Sequence, residues 1–70
     1  MNIVYTIHAR KRIIQKKIEE VWVEETIKYP DIIRKIEYGK YVLKKKINGG
    51  AIEVIIVRER DIKVITVYWL

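Results

Sequence analysis

His8 is the only histidine in the chain, and histidine is the only side chain whose ordinary pKa lies close to neutral. It is therefore the residue best suited to act as a general base or acid in phosphodiester transfer. Arg12 follows four residues later and Lys16 four after that. On a helix this i, i+4, i+8 spacing stacks the three along one polar stripe. A guanidinium there can hold a phosphate through two parallel hydrogen bonds and stabilise charge that develops on it. Arg10, Lys11 and Lys17 widen the patch. Each residue also has a plain structural alternative. A histidine at a helix start bonds the backbone or packs beside Tyr5, and helix cations commonly form a solvated face.

A second basic group lies further along, at Lys44-Lys45-Lys46. On a strand, Lys44 and Lys46 point one way and Lys45 the other. With Arg58, Arg60 and Lys63 on neighbouring strands, this row suits a phosphate backbone. The alternative is edge protection, because Lys on an edge strand blocks sheet-to-sheet aggregation. Tyr38, Tyr41, Tyr68 and Trp69 can stack on unpaired bases. They serve equally as core residues or a dimer contact, and Trp69, next to Leu70, suits a partner interface. The chain has no Cys and no Ser, so disulfides, thiolate metal sites and serine nucleophiles are excluded. It also lacks a phosphate-cradling glycine loop, a paired carboxylate site and any metal-ligand spacing. Neither a metal nor a cofactor is expected.

The elements that must position these residues read as helices first, then strands. Residues 3–6 are a short β-like lead, and Thr6 can cap the helix after it. Residues 7–17 are helix-like, with Ala9, Ile13 and Ile14 on the apolar side and Ile18 one turn on. A second helix is expected from about Ile18 to Tyr29, with Glu19 and Glu20 in its first turn, where the helix dipole favours anions. Pro30 stops it. Residues 32–38 alternate weakly, and Gly39 marks a turn. Residues 40–47 form a strand, and Asn48-Gly49-Gly50 is a strong hairpin signal. Residues 51–58 are almost continuously apolar, as expected of a central strand, and 62–69 form the last strand. The fold class is α+β: a short N-terminal strand, two helices, then a three- to four-stranded antiparallel meander. The helices should cover one sheet face and leave the other for a ligand or partner.

At 70 residues the chain reads as one domain, 1–70. A core of this size supplies only a few kcal/mol of net stability, so dense packing or a second chain must help. Fifteen residues are Ile, which favours dense packing. The net charge is +6, with eight Lys/Arg against five Asp/Glu in residues 1–35 and seven against four in 36–70. Such a folded basic domain suits nucleic acid or an acidic protein, although the same charge would also simply solubilise a Lys-rich thermophile protein. Scarce Asn and Gln among abundant Lys, Glu and Ile point to a thermophilic source, archaeal or viral. No long uncharged apolar run indicates a membrane span, and no leader pattern opens the chain, so cytoplasm is the expected compartment.

The stretch Tyr5-Thr6-Ile7-His8-Ala9-Arg10-Lys11-Arg12-Ile13 resembles the Y-T-x-H-A-x-x-R-[MI] opening of a family of small prokaryotic domains. That family is similar to BrnT-like and, more distantly, RelE/ParE-like toxins. Ile18 sits where the family begins its second helix. Val23, Thr26 and Ile27 fall on its apolar positions, and Pro30 comes at its usual distance. Val64-Ile65-Thr66-Val67-Tyr68 looks like its closing strand. Lys16-Lys17 departs from the Arg-Gly pair common before the second helix, and Glu19 from its usual Ser or Thr cap. Lys16 lacks the bidentate fork of an Arg. The resemblance implies a RelE-like fold and a metal-independent endoribonuclease of a toxin–antitoxin pair. It further implies RNA as substrate and an acidic antitoxin as partner. It carries over His8, Arg12 and Tyr68 as catalytic candidates. Lys16, Lys44, Lys46, Arg58, Arg60 and Lys63 rest on charge as nucleic-acid contacts. The rival expectations are a non-catalytic binding module and a small homodimer.

Overall fold

The computed structural model describes residues 2–70. Strand β1 (Ile3–Tyr5) leads into helix α1 (Ile7–Gln15). Thr6 makes the turn between them with extended backbone, and its hydroxyl accepts a hydrogen bond from the Ala9 amide at 3.0 Å. This is the capping role its position predicts. Ala9 and Ile13 face the core. Ile14, expected beside them, is exposed.

Helix α1 ends two residues earlier than its apolar pattern suggests. The Lys17 amide bonds the Ile14 carbonyl and the Ile18 amide bonds the Ile13 carbonyl, with Lys17 left-handed at φ 53°. These paired bonds form a Schellman motif, completed by apolar residues at its outer positions. Here these are Ile13 and Ile18, both buried. Ile18 therefore closes the first helix instead of opening the second. Helix α2 (Glu20–Lys28) starts after Glu19, which makes no side-chain cap bond. Val23 and Thr26 are its buried side. The Thr26 hydroxyl is satisfied one turn back, donating to the Trp22 carbonyl at 2.8 Å.

Four strands complete the chain: β2 (Ile32–Glu37), β3 (Lys40–Ile47), β4 (Gly50–Arg58) and β5 (Ile62–Trp69). Each pairs antiparallel with the next. Asn48 and Gly49, at φ 48° and 77°, make the β3–β4 hairpin, the double positive φ that a two-residue turn favours. The sheet is nevertheless mixed and five-stranded, in the order β1-β5-β4-β3-β2, because β1 pairs parallel with β5. Three residues of apolar pattern announce a strand but not its partner. A parallel neighbour also needs a long crossover, and here almost the whole chain supplies it.

Leu43 and Ile47 of β3, Ile52, Val54 and Ile56 of β4, and Val64 and Val67 of β5 form one core with Ala9, Ile13, Ile18 and Val23 of the helices. Both helices thus pack on one sheet face. Trp69 joins that side: its ring meets Trp22 edge-on at 5.7 Å, and its Nε1 donates to the Lys16 carbonyl at 2.9 Å. Trp69 thus fastens the α1–α2 connection to the end of β5 while staying 37% exposed. The register places Lys40, Val42, Lys44 and Lys46 on the second face, with Ala51, Glu53, Ile55 and Val57 beside them.

Candidate nucleic-acid interface

Because β1 stops after Tyr5, it covers only the first part of β5, pairing with residues 62–64. The rest of β5 would present open carbonyls along the sheet edge, and buried or edge polar groups need partners. Helix α1 supplies them in sequence. The Thr6 amide bonds the Val64 carbonyl at 3.1 Å, and the Thr6 hydroxyl donates to the Ile65 carbonyl at 3.1 Å. His8 Nε2 shares a hydrogen bond of 3.2 Å with the Thr66 hydroxyl. Arg12 Nε donates to the Val67 carbonyl at 3.3 Å, and its guanidinium lies over the Tyr68 ring at 4.8 Å. The opening motif and the closing strand, 55 or more residues apart in sequence, are one structural unit.

This unit gathers His8, Arg12 and Tyr68. The His8 imidazole is exposed, while Thr66 beneath it is buried. Arg12 uses Nε on the backbone, which leaves its terminal nitrogens for a ligand. A β-bulge between Ile55 and Ile56 of β4 sets two β5 residues against one step there. It carries Thr66 and Tyr68 to the second face, returns Val67 to the core and sets Trp69 on the helix side. Tyr68 pairs with Glu53, and Glu53 with Lys44. Lys44 Nζ stands 3.7 Å from the Glu53 carboxylate. A row of Arg12, Tyr68, Glu53 and Lys44 therefore crosses from the helix edge onto the open face.

The other basic candidates divide. Lys46 shares the face of Lys44, and Lys63, paired with Val57, lies there too. Lys16 is exposed at the end of α1. Arg60 borders a shallow cavity of about 340 Å³ with Lys63, where Glu59 and Asp61 offset its charge. Arg58 aligns with Ile62, Ile56 and Tyr41 on the helix side, away from His8. It therefore does not join this surface. Lys45 also turns to the helix side, donating to the Tyr29 carbonyl at 2.8 Å. Tyr41 packs against the core, and Tyr38 is 96% exposed at the β2–β3 turn.

Thr66 and Glu53 escape a sequence reading based on charge and aromatic pattern. Thr66 carried a signal nonetheless, as a polar residue flanked by Val64, Ile65 and Val67 in the closing strand. Tyr5, on the core side of the same unit, has a buried hydroxyl with no hydrogen-bond partner among the described residues. Burial, with help from Glu20 and Glu24 and against the opposing Arg10, pushes its pKa up to about 12.

Residues 5–69 match the family model described as a domain of unknown function, DUF4258. The chain belongs to this family. The matched stretch begins at Tyr5 and ends at Trp69, so it contains both halves of the α1–β5 unit. No curated protein and no solved structure matches the chain. Among the described residues of this DUF4258 domain, no cluster of three or more His, Cys, Asp or Glu is placed to hold a metal ion. No helix among them is long and apolar enough to cross a membrane.

Proposed function

We propose that this DUF4258 domain is a toxin-like RNA-binding protein that cleaves single-stranded RNA without a metal, in the cytoplasm, and that a separate acidic protein neutralises it. One observation carries the reading: His8, Arg12 and Tyr68 converge at the margin of an open sheet face lined by Lys44, Lys46 and Lys63. In this scheme the His8 imidazole takes the proton of a ribose 2′-hydroxyl. The oxygen attacks the adjacent phosphorus, the P–O5′ bond breaks, and the departing 5′-oxygen takes a proton from solvent water, giving a cyclic phosphate and a 5′-hydroxyl. The terminal nitrogens of Arg12 hold the phosphate oxygens as charge builds on them. Tyr68, beneath the guanidinium, supplies a phenol as hydrogen-bond donor.

A second reading is favoured by a specific feature. Thr66 and the Val67 carbonyl already engage His8 and Arg12, so both residues also serve to seat α1. A non-catalytic binding module would keep them for that reason. The deciding test is incubation with single-stranded RNA in EDTA, alongside His8→Gln and Arg12→Lys variants. Glutamine retains a hydrogen bond to Thr66 but transfers no proton, and lysine keeps the charge but loses the fork. Cleavage by the parent and a loss of about 100-fold or more in both variants supports the nuclease. Salt-sensitive binding without cleavage moves the assignment to the binding module.

A further inference from the structure

The two edges of the sheet are finished differently. At one edge the three-residue β1 covers the start of β5, and the side chains of Thr6 and Arg12 occupy the β5 carbonyls beyond it. At the other edge, β2 has β3 on one side and, among the described residues, no strand on the other. All six of its residues are exposed, and Ile32, Ile33 and Ile36 are exposed by 56%, 62% and 50%. A strand with a free backbone ladder and apolar side chains is a template for another strand. The opposite edge is the three-residue β1 followed by a stretch of β5 whose carbonyls are already taken, a ladder too short to match β2, so a second copy pairs with β2 through its own β2, around a twofold axis.

Such a pairing sets one residue directly opposite itself, and the sequence eliminates all but one choice. Centring on Arg34, Lys35 or Glu37 stacks like charges across the axis. Centring on Ile32 brings Pro30, which has no N–H, into the ladder. Centring on Ile36 falls on the irregularity between Lys35 and Glu37, where the strand is bent. Centring on Ile33 uses the regular part of β2. It sets Ile33 against Ile33, Ile32 against Arg34, and Asp31 against Lys35. The outer pair is charge-complementary. The Asp31 carboxylate accepts from the Lys46 amide at 2.9 Å and lies 3.8 Å from Lys45 Nζ, both on β3, while its side chain stays half exposed. The paired Ile33 side chains extend the apolar floor formed by Ile27, Tyr41, Leu43 and Ile56.

We infer that the chain forms an isologous homodimer in which two β2 strands pair antiparallel, centred on Ile33, to make one continuous ten-stranded sheet. This stands apart from the RNA reading, since it involves neither His8 nor Arg12. The test is the mass in solution by light scattering across a concentration series, for the parent and an Ile33→Lys variant whose folding is checked by circular dichroism. The dimer predicts twice the chain mass for the parent and the single-chain mass for the variant. The absence of native Cys allows a second measurement. Ile33→Cys should oxidise to a covalent dimer, whereas Lys35→Cys, four residues out of register with its copy, is too distant for a disulfide. A monomeric parent at every concentration overturns the proposal. So does a dimer that survives Ile33→Lys, or one cross-linked as readily through position 35 as through 33.

Discussion

Lys17 holds φ 53° at the position of the Schellman motif that glycine occupies at least cost. Lys17→Gly should therefore raise stability by about 0.5–1 kcal/mol, read as a later midpoint in urea unfolding. The Lys16-Lys17 departure from Arg-Gly was visible in the sequence, but its cost becomes plain only from the backbone angle. Tyr5 offers a second test. Its buried hydroxyl lacks a partner among the described residues, and burying an unsatisfied polar group is unfavourable. Tyr5→Phe should leave stability equal or higher. The pH dependence carries a definite sign. The folded phenol titrates near 12, above its ordinary value of 10.0, so the unfolded chain loses the proton first. Stability from this group is intact below pH 10 and declines as pH rises toward 12. Tyr5→Phe should remove that part of the alkaline decline in a thermal-melt series.

At the scale of elements, the α1–β5 seam depends on Thr6 more than a helix cap alone would. The hydroxyl accepts from Ala9 and donates to Ile65. Thr6→Ala should cost about 1–2 kcal/mol, and Thr6→Ser should restore most of it, in the same unfolding assay. The cap, the Asn48-Gly49 hairpin and the stop at Pro30 were legible because each depends on local chemistry. The parallel partner of β1 was not, because three apolar residues fit any sheet edge. The backbone role of Arg12 was hidden for the same reason: it depends on where β1 ends along β5. His8 and Arg12 stood out by residue type and spacing, and motif resemblance joined Tyr68 to them; their convergence comes from the packing of α1 on β5.

Across the whole molecule the charge is segregated in a way that equal halves conceal. Residues 7–17 hold five Lys/Arg and no Asp/Glu. Residues 18–31 hold one against five, and residues 32–70 nine against four. Helix α2 is thus the acidic part, while α1 and the sheet are basic. If RNA lies on the open face, Lys44→Gln and Lys46→Gln should each lower the slope of log affinity against log salt by about 1. Arg58→Gln, on the helix side, should leave the slope unchanged. Fluorescence anisotropy with a labelled single-stranded RNA measures both. The open face itself was foreseeable from an α+β order of elements. Which strand residues belong to it was not, because β4 is apolar at nearly every position and only the register and the β5 bulge divide its side chains between the two faces.

The seam between α1 and β5 also imposes an order in time. Thr6, His8 and Arg12 find their partners only at residues 64–68. During synthesis the N-terminal segment emerges first, with its counterpart not yet made or still inside the ribosome. A nascent chain without residues 64–68 cannot assemble the cluster. Only once residues 64–68 have emerged can the cluster close, and a chain cut short before Thr66 lacks it.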